Sequence, residues 1–340
     1  MNTTSFAAGE NARRKARLHE ITLRHIYAAR RTIAPYIRHT PLIYSAPLSK
    51  LSGAQVYLKL ECLQETGAFK LRGAANKLVS LSAEERQNGV VTVSTGNHGR
   101  AVAYMAQKLG IEAVICITEL VPAHKRQAMA QLGATLVVAG DNQDDAERQA
   151  LTLVQEQGMT MISPFDDPAI IAGQGTIGLE LLEALPQLDA AIVPLSGGGL
   201  MGGIALALKT ADAAIRVVGA SQALGPAMHL SIQAGQPTPV VEEKTLADSL
   251  SGGIGLDNRY TFALCRQYVD ETVLLSEEEI AAAMIFALQE HHLLVEGGYA
   301  VGIGALLHNK VHAPGQQVAV VVSGGNVDVE LLLRLATSQR

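Results

Sequence analysis

One lysine of this sequence has unusual neighbours. Lys70 lies in the stretch ETGAFKLRGAANKL (65–78), directly after the apolar run VYLKL (56–60), with Gly and Ala on both sides. Burial penalises the charged form of a lysine, so its pKa falls and its amine becomes a nucleophile near neutral pH. A lysine that extends its amine into water from a strand–helix junction would have similar neighbours. The residues around Lys70 leave both interpretations open.

A glycine-rich loop, SGGGLMGG (196–203), follows a run typical of a buried strand. Gly197, Gly199 and Gly202 have the G-x-G-x-x-G spacing, and glycines at a helix start let backbone N–H groups approach a phosphate. A dinucleotide site also needs an acidic residue about 20 residues later, after the next strand. The chain has Ser221 there. We predict a phosphate site without an adenosine partner, with a tight turn as the alternative.

A second stretch with this spacing, GQGTIG (173–178), follows DPAIIA, which does not resemble a strand. A dinucleotide turn lies between a strand and a helix, so the context is wrong for a cofactor loop. We predict that these glycines allow helices to pack closely.

A nucleophilic lysine and a phosphate cradle are together what pyridoxal 5′-phosphate requires. Its aldehyde forms a Schiff base with a lysine amine, and its phosphate needs backbone donors. Two other classes of protein are alternatives. A nicotinamide-dependent dehydrogenase would use the glycine loops and is opposed by Ser221. A catalytically silent binding protein is opposed by the presence of every residue type that the chemistry needs.

Short Val- and Ile-rich runs alternate with helical patterns along the chain, which indicates a doubly wound α/β architecture. Continuous apolar strands are typical of parallel sheets that are covered on both faces. The predicted strands cover 56–60, 90–94, 113–117, 135–139, 190–195, 216–220, 271–276 and 317–323. Helices are predicted at 100–110, 144–158 and 276–292, the last with a capping box from Ser276 to Glu279.

Composition excludes several classes of function. The chain has 340 residues, of which 48% are hydrophobic and 17% charged, and its net charge of −5 gives no reason to expect nucleic acid or an anionic membrane as partner. Three scattered cysteines fit a reducing compartment. No run approaches the roughly 18 apolar residues of a membrane span, and no secretory signal precedes the first helix. We expect a cytoplasmic protein that binds a small molecule.

Five motifs occur together in an order that resembles one family, the fold type II (β-family) pyridoxal-phosphate enzymes of the threonine/serine dehydratase and serine racemase group. They are LKLECLQETGAFKLRGA, STGNHGRAVA, AGQGTIGLE, VPLSGGGLMGG and VVSGGNVD, and the resemblance covers roughly residues 22–335. It implies two open, twisted, mostly parallel sheets with flanking helices, as in tryptophan synthase β-like proteins. It also implies a homodimer.

The resemblance further implies how the chain is divided. A large cofactor-binding domain would comprise residues 12–80 and 163–335. A small domain, 81–162, would close over the substrate, and residues 1–11 would form a disordered tail.

Each residue of the site is assigned by the same resemblance. The cofactor would be bound by Phe69, Lys70, Asn97, Ser196, Gly197, Gly198, Gly199, Leu200, Glu296 and Ser323. The substrate carboxylate would be bound by Ser94, Thr95, Asn97 and His98, at the start of a helix. Lys70 and Thr95 would be the catalytic residues, and no metal site is implied.

Particular roles follow from these positions. Lys70 would form the Schiff base and later remove the Cα proton as general base. Asn97 would bond to the phenolic oxygen of the cofactor, and Phe69 would fix the direction of Lys70 by packing. Ser323 would face the pyridine nitrogen with a neutral hydroxyl, which favours β-elimination over transamination. Glu296 either approaches the cofactor ring or is an exposed carboxylate at a helix end.

Departures from the family pattern narrow the function. Metal-activated relatives have a glutamate where this chain has Ser221, so we expect no divalent cation there. Serine racemase has a serine, its second catalytic base, where this chain has the bulkier Thr95, which disfavours racemisation. An L-threonine or L-serine dehydratase and a serine racemase-type enzyme are the alternatives within the family.

One stretch, TLADSLSGGIGLDNRYTFAL (245–264), differs from ordinary threonine dehydratases. Together with STGNHGRA and LVPAHK (120–125), it most resembles the hydroxyectoine-utilisation dehydratases of ectoine catabolism. That resemblance implies hydroxyectoine, or a β-hydroxy amino acid derived from it, as substrate. A ring-opened form is chemically easier, because the cyclic compound has no free primary amine.

Overall fold

The computed structural model describes residues 21–338 except 95, 120, 122, 142 and 313–315. Its strands are β1 (Leu42–Tyr44), β2 (Gln55–Leu60), β3 (Val90–Val93), β4 (Ala113–Ile117), β5 (Thr135–Val138), β6 (Thr160–Met161), β7 (Ala190–Pro194), β8 (Arg216–Gln222), β9 (Glu271–Leu275) and β10 (Gln317–Val322). Its first seven α-helices are α1 (Leu23–Ile33), α2 (Ala46–Ser52), α3 (Lys70–Val79), α4 (Ala83–Asn88), α5 (Asn97–Leu109), α6 (Ala123–Gln131) and α7 (Gln143–Gln157).

The remaining α-helices belong to the second half of the chain. They are α8 (Pro168–Ala184), α9 (Gly199–Ala211), α10 (Ala227–Ala234), α11 (Thr261–Tyr268), α12 (Glu277–His291), α13 (Gly297–Leu307) and α14 (Val329–Ser338). Short 3₁₀ turns cover Glu61–Leu63 and Asp248–Leu250. Across these described helices, none combines the length and the apolarity that crossing a bilayer would require.

The larger sheet has the strand order β1-β2-β10-β7-β8-β9. Only its edge strand β1 runs antiparallel to its neighbour; the other pairs are parallel. β10 lies between β2 and β7, so Val318 pairs with both Val56 and Ala190. The central strands β7 and β10 are buried almost throughout. Helices therefore cover both faces, as the continuous apolar runs predict.

The smaller sheet has the order β5-β4-β3-β6 and is parallel throughout. All of its strands lie between residues 90 and 161, and separate apolar clusters pack against it and against the larger sheet. The predicted fold class, with two mostly parallel sheets and flanking helices, is confirmed. The domain boundaries and the closing motion of the small domain stay predictions.

Helix α8 packs against two helices of the site: α3, which starts at Lys70, and α9, which starts at Gly199. A Cβ added to Gly173 would lie 2.5 Å from the carbonyl oxygen of Arg72 on α3, and one added to Gly175 would lie 2.9 Å from that of Gly203 on α9. The motif GQGTIG is thus in the middle of a helix that packs closely on both neighbours. The prediction that it serves helix packing is confirmed.

Four buried charged side chains form one cluster that links several elements: Lys59, Glu61, Arg72 and Glu180. The Arg72 guanidinium binds Glu61 at 2.7 Å and Glu180 at 2.6 Å, and the Lys59 ammonium binds Glu180 at 2.5 Å. Lys59 also donates to the carbonyl oxygen of Thr40 at 2.6 Å. The cluster connects β2, the first 3₁₀ turn, α3 and α8. Two positive and two negative groups neutralise one another there, which is what burial of charge requires.

Candidate active site

Four helices begin around one site: α3 at Lys70, α5 at Asn97, α9 at Gly199 and α13 at Gly297. The first N–H groups of a helix have no intrahelical acceptor, and the helix dipole makes this end partially positive. Two of these starts are directly linked, because the side chain of Asn97 donates to Glu296, the N-cap residue of α13. Their convergence produces a region suited to anions.

Lys70 is the first residue of α3, and its side chain is partly buried. Its Nζ donates to the carbonyl oxygen of Pro164 at 2.7 Å and lies 5.2 Å from the centroid of the Phe69 ring. Burial lowers the pKa of Lys70 from 10.5 to about 8. The amine is therefore partly unprotonated near neutral pH. The Phe69 ring is thus within cation–π range of the amine, and its role in fixing the direction of Lys70 stays a prediction.

The glycine loop turns through a conformation that needs glycine. Gly198 is the N-cap of α9 and has φ +86°, in the left-handed region. A Cβ on it would lie 2.6 Å from Met228 Cε, and a Cβ on Gly197 would lie 2.4 Å from the ring of Phe165. Phe165 follows Pro164, the residue that binds Lys70. The loop and the lysine thus face the same segment.

Backbone donors in this loop are available to a ligand. The N–H of Gly202 donates to the carbonyl of Gly198 at 2.7 Å, which begins the helical bonding, so the N–H groups just before it lack intrahelical acceptors. The Ser196 hydroxyl donates to the carbonyl of Leu250 at 3.0 Å. Leu200 is buried at the first turn of α9. These features fit a phosphate cradle.

Asn97 is held by four atoms of its neighbours. Its Nδ2 lies 2.9 and 3.0 Å from the two carboxylate oxygens of Glu296 and 3.1 Å from the hydroxyl oxygen of Tyr299. Its Oδ1 accepts from Nδ2 of Asn326 at 2.6 Å. Glu296 also accepts from the backbone N–H of Asn326 at 2.9 Å and is 9% exposed. Of the two interpretations of Glu296, the exposed carboxylate at a helix end is wrong.

Ser323 directly follows the central strand β10 and lies beside the turn that carries Lys70. It is 0% exposed, and among the described residues its hydroxyl has no hydrogen-bond partner. Its carbonyl accepts from the N–H of Phe69 at 2.9 Å, and Gly325 donates to Gly67 at 2.9 Å. An unpaired buried hydroxyl carries a desolvation penalty of about 1–3 kcal/mol. A polar ligand atom that bonded to Ser323 would remove that penalty.

The turn before α5 holds the residues predicted to bind a substrate carboxylate. The Ser94 hydroxyl accepts from the N–H groups of Gly96 and Gly99 at 3.3 and 3.0 Å and so caps the helix start. His98 is 3% exposed, and its Nε2 lies 3.1 Å from the carbonyl oxygen of Ile162. Thr95 lies outside the described residues.

The ring of His98 is uncharged. Burial, and then the charge of Lys70, lower its pKa to about 3. A carbonyl only accepts, so the contact with Ile162 places the ring proton on Nε2. A neutral imidazole with a bare Nδ1 cannot donate to a carboxylate from that atom. Any carboxylate at this turn therefore depends on the backbone N–H groups of α5 and on Ser94.

Two residues of the site, Tyr299 and Asn326, were not predicted from the sequence, and both bind Asn97. Asn326 directly follows the SGG of the motif VVSGGN, so its proximity to Ser323 could have been noticed. Ser221, at the position of the metal ligand in some relatives, donates to the side chain of Gln222 at 3.2 Å.

The residues present fit pyridoxal 5′-phosphate. A buried lysine supplies an amine for its aldehyde, the glycine loop supplies backbone donors for its phosphate, and Asn97 and Ser323 supply polar groups for its ring. The unpaired Ser323 hydroxyl is a feature of the fold that this ligand would explain.

Comparisons with known proteins agree with this fit. Residues 33–324 match the model of a family described as "Pyridoxal-phosphate dependent enzyme". The chain is 42% identical over 315 residues to L-threonine ammonia-lyase of Thermotoga maritima, covering 93% of this chain and 78% of that protein. The structure of maize serine racemase has TM-score 0.87 at 34% identity and covers 94% of this chain and 97% of its own. The structure of serine racemase from Dictyostelium discoideum has TM-score 0.85 at 33% identity, with 91% and 99% covered.

Proposed function

This chain belongs to the pyridoxal-phosphate-dependent enzyme family, and on that basis we propose that it is a dehydratase that eliminates water from a β-hydroxy amino acid and releases ammonia. The observation that carries the proposal is that a lysine with a lowered pKa, Lys70, and a buried hydroxyl without a described partner, Ser323, belong to adjoining turns, joined by the hydrogen bond from the Phe69 N–H to the Ser323 carbonyl. Family membership also favours pyridoxal phosphate over the nicotinamide-dependent alternative.

The bound cofactor supplies an aldehyde for amines and a ring that accepts electrons from Cα. Lys70 would hold the cofactor through its amine, and the same amine, whose pKa is lowered by burial to about 8, would be the base that accepts the Cα proton. Ser323 offers a neutral hydroxyl and no carboxylate, so it does not hold a proton on the ring nitrogen. That weakens the electron sink and favours prompt departure of the β-hydroxyl.

The helix starts orient the reactants. Backbone N–H groups of the 196–200 loop bind phosphate, and those at the start of α5, with Ser94, bind the substrate carboxylate. His98 is neutral and buried beside them, so it adds no charge that would oppose the ammonium form of an incoming amine. The proton that Lys70 takes from Cα and the hydroxide lost from Cβ together make up the eliminated water, and the released enamine hydrolyses to a 2-oxo acid and ammonia.

The substrate class is proposed at two levels. The relative named L-threonine ammonia-lyase supports a small β-hydroxy amino acid such as L-threonine or L-serine. At the finer level, we propose hydroxyectoine in its ring-opened form, because the stretch 245–264 resembles that of hydroxyectoine-utilisation dehydratases; the same stretch lies against the site. A Cβ on Gly297 would lie 2.2 Å from the carbonyl oxygen of Leu246, and Ser196 binds Leu250. A serine racemase-type activity is the alternative that maize serine racemase suggests. The homodimer and the cytoplasmic location stay predictions.

A lysine-exchange experiment tests the cofactor role. Purified protein mixed with pyridoxal 5′-phosphate should become yellow, and borohydride should fix the cofactor to the chain. Lys70→Ala should abolish the fixed adduct, whereas Lys77→Ala, on the same helix but paired with Asp167 at 2.7 Å, should keep it. A fixed adduct that persists in Lys70→Ala would show that another lysine binds the cofactor.

Ammonia assays with L-threonine, L-serine and ring-opened hydroxyectoine then test the reaction. Release of ammonia from the hydroxyectoine derivative well above that from threonine supports the finer proposal. Release from threonine or serine alone supports only the coarser one. A yellow enzyme that releases ammonia from none of them contradicts the elimination mechanism.

A further inference from the structure

A carboxylate outside the predicted site residues binds the start of a helix that packs against the glycine loop. Asp166 lies between β6 and α8, and its side chain reaches the start of α11, 93 residues later in the chain. Its Oδ2 accepts from the N–H of Arg259 at 2.7 Å, and its Oδ1 accepts from those of Tyr260 and Thr261 at 2.9 Å each. The first N–H groups of a helix have no intrahelical acceptor, so Asp166 caps α11 from a distant part of the chain.

The first turns of α11 lie against one side of the glycine loop. Thr261 is 0% exposed, and a Cβ added to Gly198 would lie 2.9 Å from its Cβ and 3.0 Å from Sγ of Cys265. The thiol of Cys265 also donates weakly to the carbonyl of Gly198, with Sγ and O 3.8 Å apart. The position of α11 therefore determines the space in which the Gly198 turn lies.

Phe165, the residue before Asp166, contacts the same loop. A Cβ on Gly197 would lie 2.4 Å from the Phe165 ring, and one on Gly199 would lie 2.9 Å from the Phe165 carbonyl oxygen. The Ser163 hydroxyl accepts from the N–H groups of Phe165 and Asp166 at 3.4 and 3.1 Å, which fixes this segment as a turn. Asp166 thus connects the two parts of the chain that contact the loop, its own turn and α11.

We propose that Asp166 is a positioning residue for the cofactor phosphate. By holding the start of α11 to the turn that carries Phe165, it keeps the 196–200 loop in the conformation whose backbone N–H groups bind phosphate. This inference rests on the proposed function, in which that loop is the phosphate site. Without the carboxylate, three N–H groups lose their acceptor and α11 is free to move away from Gly198, so the donors of the loop no longer share one direction.

Two ligands that differ only in the phosphate test the inference. Pyridoxal has the aldehyde and the ring of pyridoxal 5′-phosphate, so its binding to the apoprotein does not depend on phosphate donors. In Asp166→Ala we expect the dissociation constant of pyridoxal 5′-phosphate to rise about 10-fold, comparable to the loss of one hydrogen bond to a charged group. The dissociation constant of pyridoxal should change by less than about twofold. Absorbance titration of the full-length apoprotein measures both.

Asp167→Ala is the matched control, because the neighbouring carboxylate caps a different helix. Its Oδ1 accepts from the N–H groups of Ala169 and Ile170 at 2.7 and 3.1 Å, in the first turn of α8. Both alanine variants lose a helix cap, so both should lower the unfolding midpoint of the apoprotein by about 2–5 °C. Only Asp166→Ala should change the ratio of the two dissociation constants.

Asp166→Asn keeps an oxygen for Tyr260 and Thr261 and turns a donor toward Arg259, so it tests the same point if Asp166→Ala does not fold. We expect its dissociation constant for pyridoxal 5′-phosphate to be about 3-fold higher, with that for pyridoxal unchanged. An unchanged or lower constant for pyridoxal 5′-phosphate, an equal rise for pyridoxal, or the same change of ratio in Asp167→Ala overturns the inference. Wild-type protein that binds pyridoxal as tightly as pyridoxal 5′-phosphate contradicts the proposed phosphate site itself.

Discussion

At the scale of single residues, the amine of Lys70 should titrate unusually early. Its pKa of about 8, lowered by burial from 10.5, means that the neutral amine becomes the major form above pH 8. We therefore expect the rate at which apoenzyme binds pyridoxal 5′-phosphate covalently to rise with pH and to level off above a midpoint near 8. Stopped-flow absorbance at fixed ionic strength measures this rate.

The lowered pKa of Lys70 should also make the free energy of unfolding depend on pH. Because the folded pKa of Lys70 lies below the unfolded value, the unfolded chain binds more protons between pH 8 and 10.5. The contribution of Lys70 to stability thus increases as pH rises through that window.

In the cofactor-binding experiment, Lys77→Ala is the control and should keep the midpoint of the pH dependence near 8. A midpoint near 10.5 would mean that the amine is solvated in solution.

Some residues of the site can be identified from the sequence alone, and others cannot. The 197–199 glycines are recognisable from their own spacing in the chain, whereas the neighbours of Lys70 leave two interpretations open and its role is indicated only together with the glycine loop. Tyr299 is not recognisable, since in VEGGYAVG it fits the apolar core of a helix equally well. Its partner Asn97 lies about 200 residues earlier, and only the folded chain brings the two together. Glu296 was undecided for the same reason, because its burial depends on distant residues.

At the scale of secondary-structure elements, the start of α9 should be intolerant of any side chain. Gly198→Ala adds a strained left-handed residue and a Cβ 2.6 Å from Met228 Cε and 2.9 Å from Thr261 Cβ. We expect a loss of about 3 kcal/mol in the free energy of unfolding, from strain and overpacking together. Cofactor affinity should fall as well, because the loop that carries the phosphate donors must shift. Urea unfolding of the apoprotein and cofactor titration measure the two effects.

Gly235→Ala is the matched control for backbone strain. Gly235 ends α10 with φ +73°, and a Cβ there would meet nothing within 4 Å. It should lower stability by about 1 kcal/mol and leave cofactor affinity unchanged. Equal losses in the two variants would show that crowding around Gly198 has no effect.

The positions of the strands along the chain could largely be predicted from the sequence, whereas the order of the strands within the sheets could not. All eight predicted strands are present, and the capping box at Ser276 is formed, with Glu279 N–H donating to its hydroxyl at 3.3 Å. The missed strands, β1 and β6, have three and two residues, too few to form a periodic pattern. That β10 lies between β2 and β7 could not be predicted by local patterns, because it depends on pairings such as Val318 with Val56.

At the scale of the whole molecule, the buried charge cluster should contribute strongly to stability. Glu180→Gln would leave Arg72 and Lys59 with reduced compensation in the interior. Breaking a buried ion pair in this way lowers stability by about 3–5 kcal/mol. Glu183→Gln, on the same helix α8 but in an exposed pair with Arg30, should change it by less than about 1 kcal/mol. Urea unfolding at neutral pH compares the two.

The same charge cluster should affect how the free energy of unfolding changes at acid pH. Burial alone would raise the pKa of Glu180, but hydrogen bonds and charges from Arg72 and then Lys59 outweigh it, so the pKa lies below 4.5. A lowered folded pKa gives stability that is present above the unfolded value and is lost as pH falls through the folded one. The stability of Glu180→Gln should thus depend less on pH below about pH 5 than that of Glu183→Gln. Parallel pH dependences would contradict a role for this carboxylate.

The four helix starts around Lys70, Asn97, Gly199 and Gly297 also affect how fast a ligand arrives. Their partial positive charges lie around one site, while the chain as a whole carries −5. A doubly charged phosphate ester is thus repelled at long range and attracted close to the site. At physiological salt the repulsion is screened beyond about 8 Å, whereas the partly buried attraction is not. Moderate ionic strength should therefore raise the rate at which the phosphate ester binds. Association between molecules of opposite net charge normally becomes slower when salt is added.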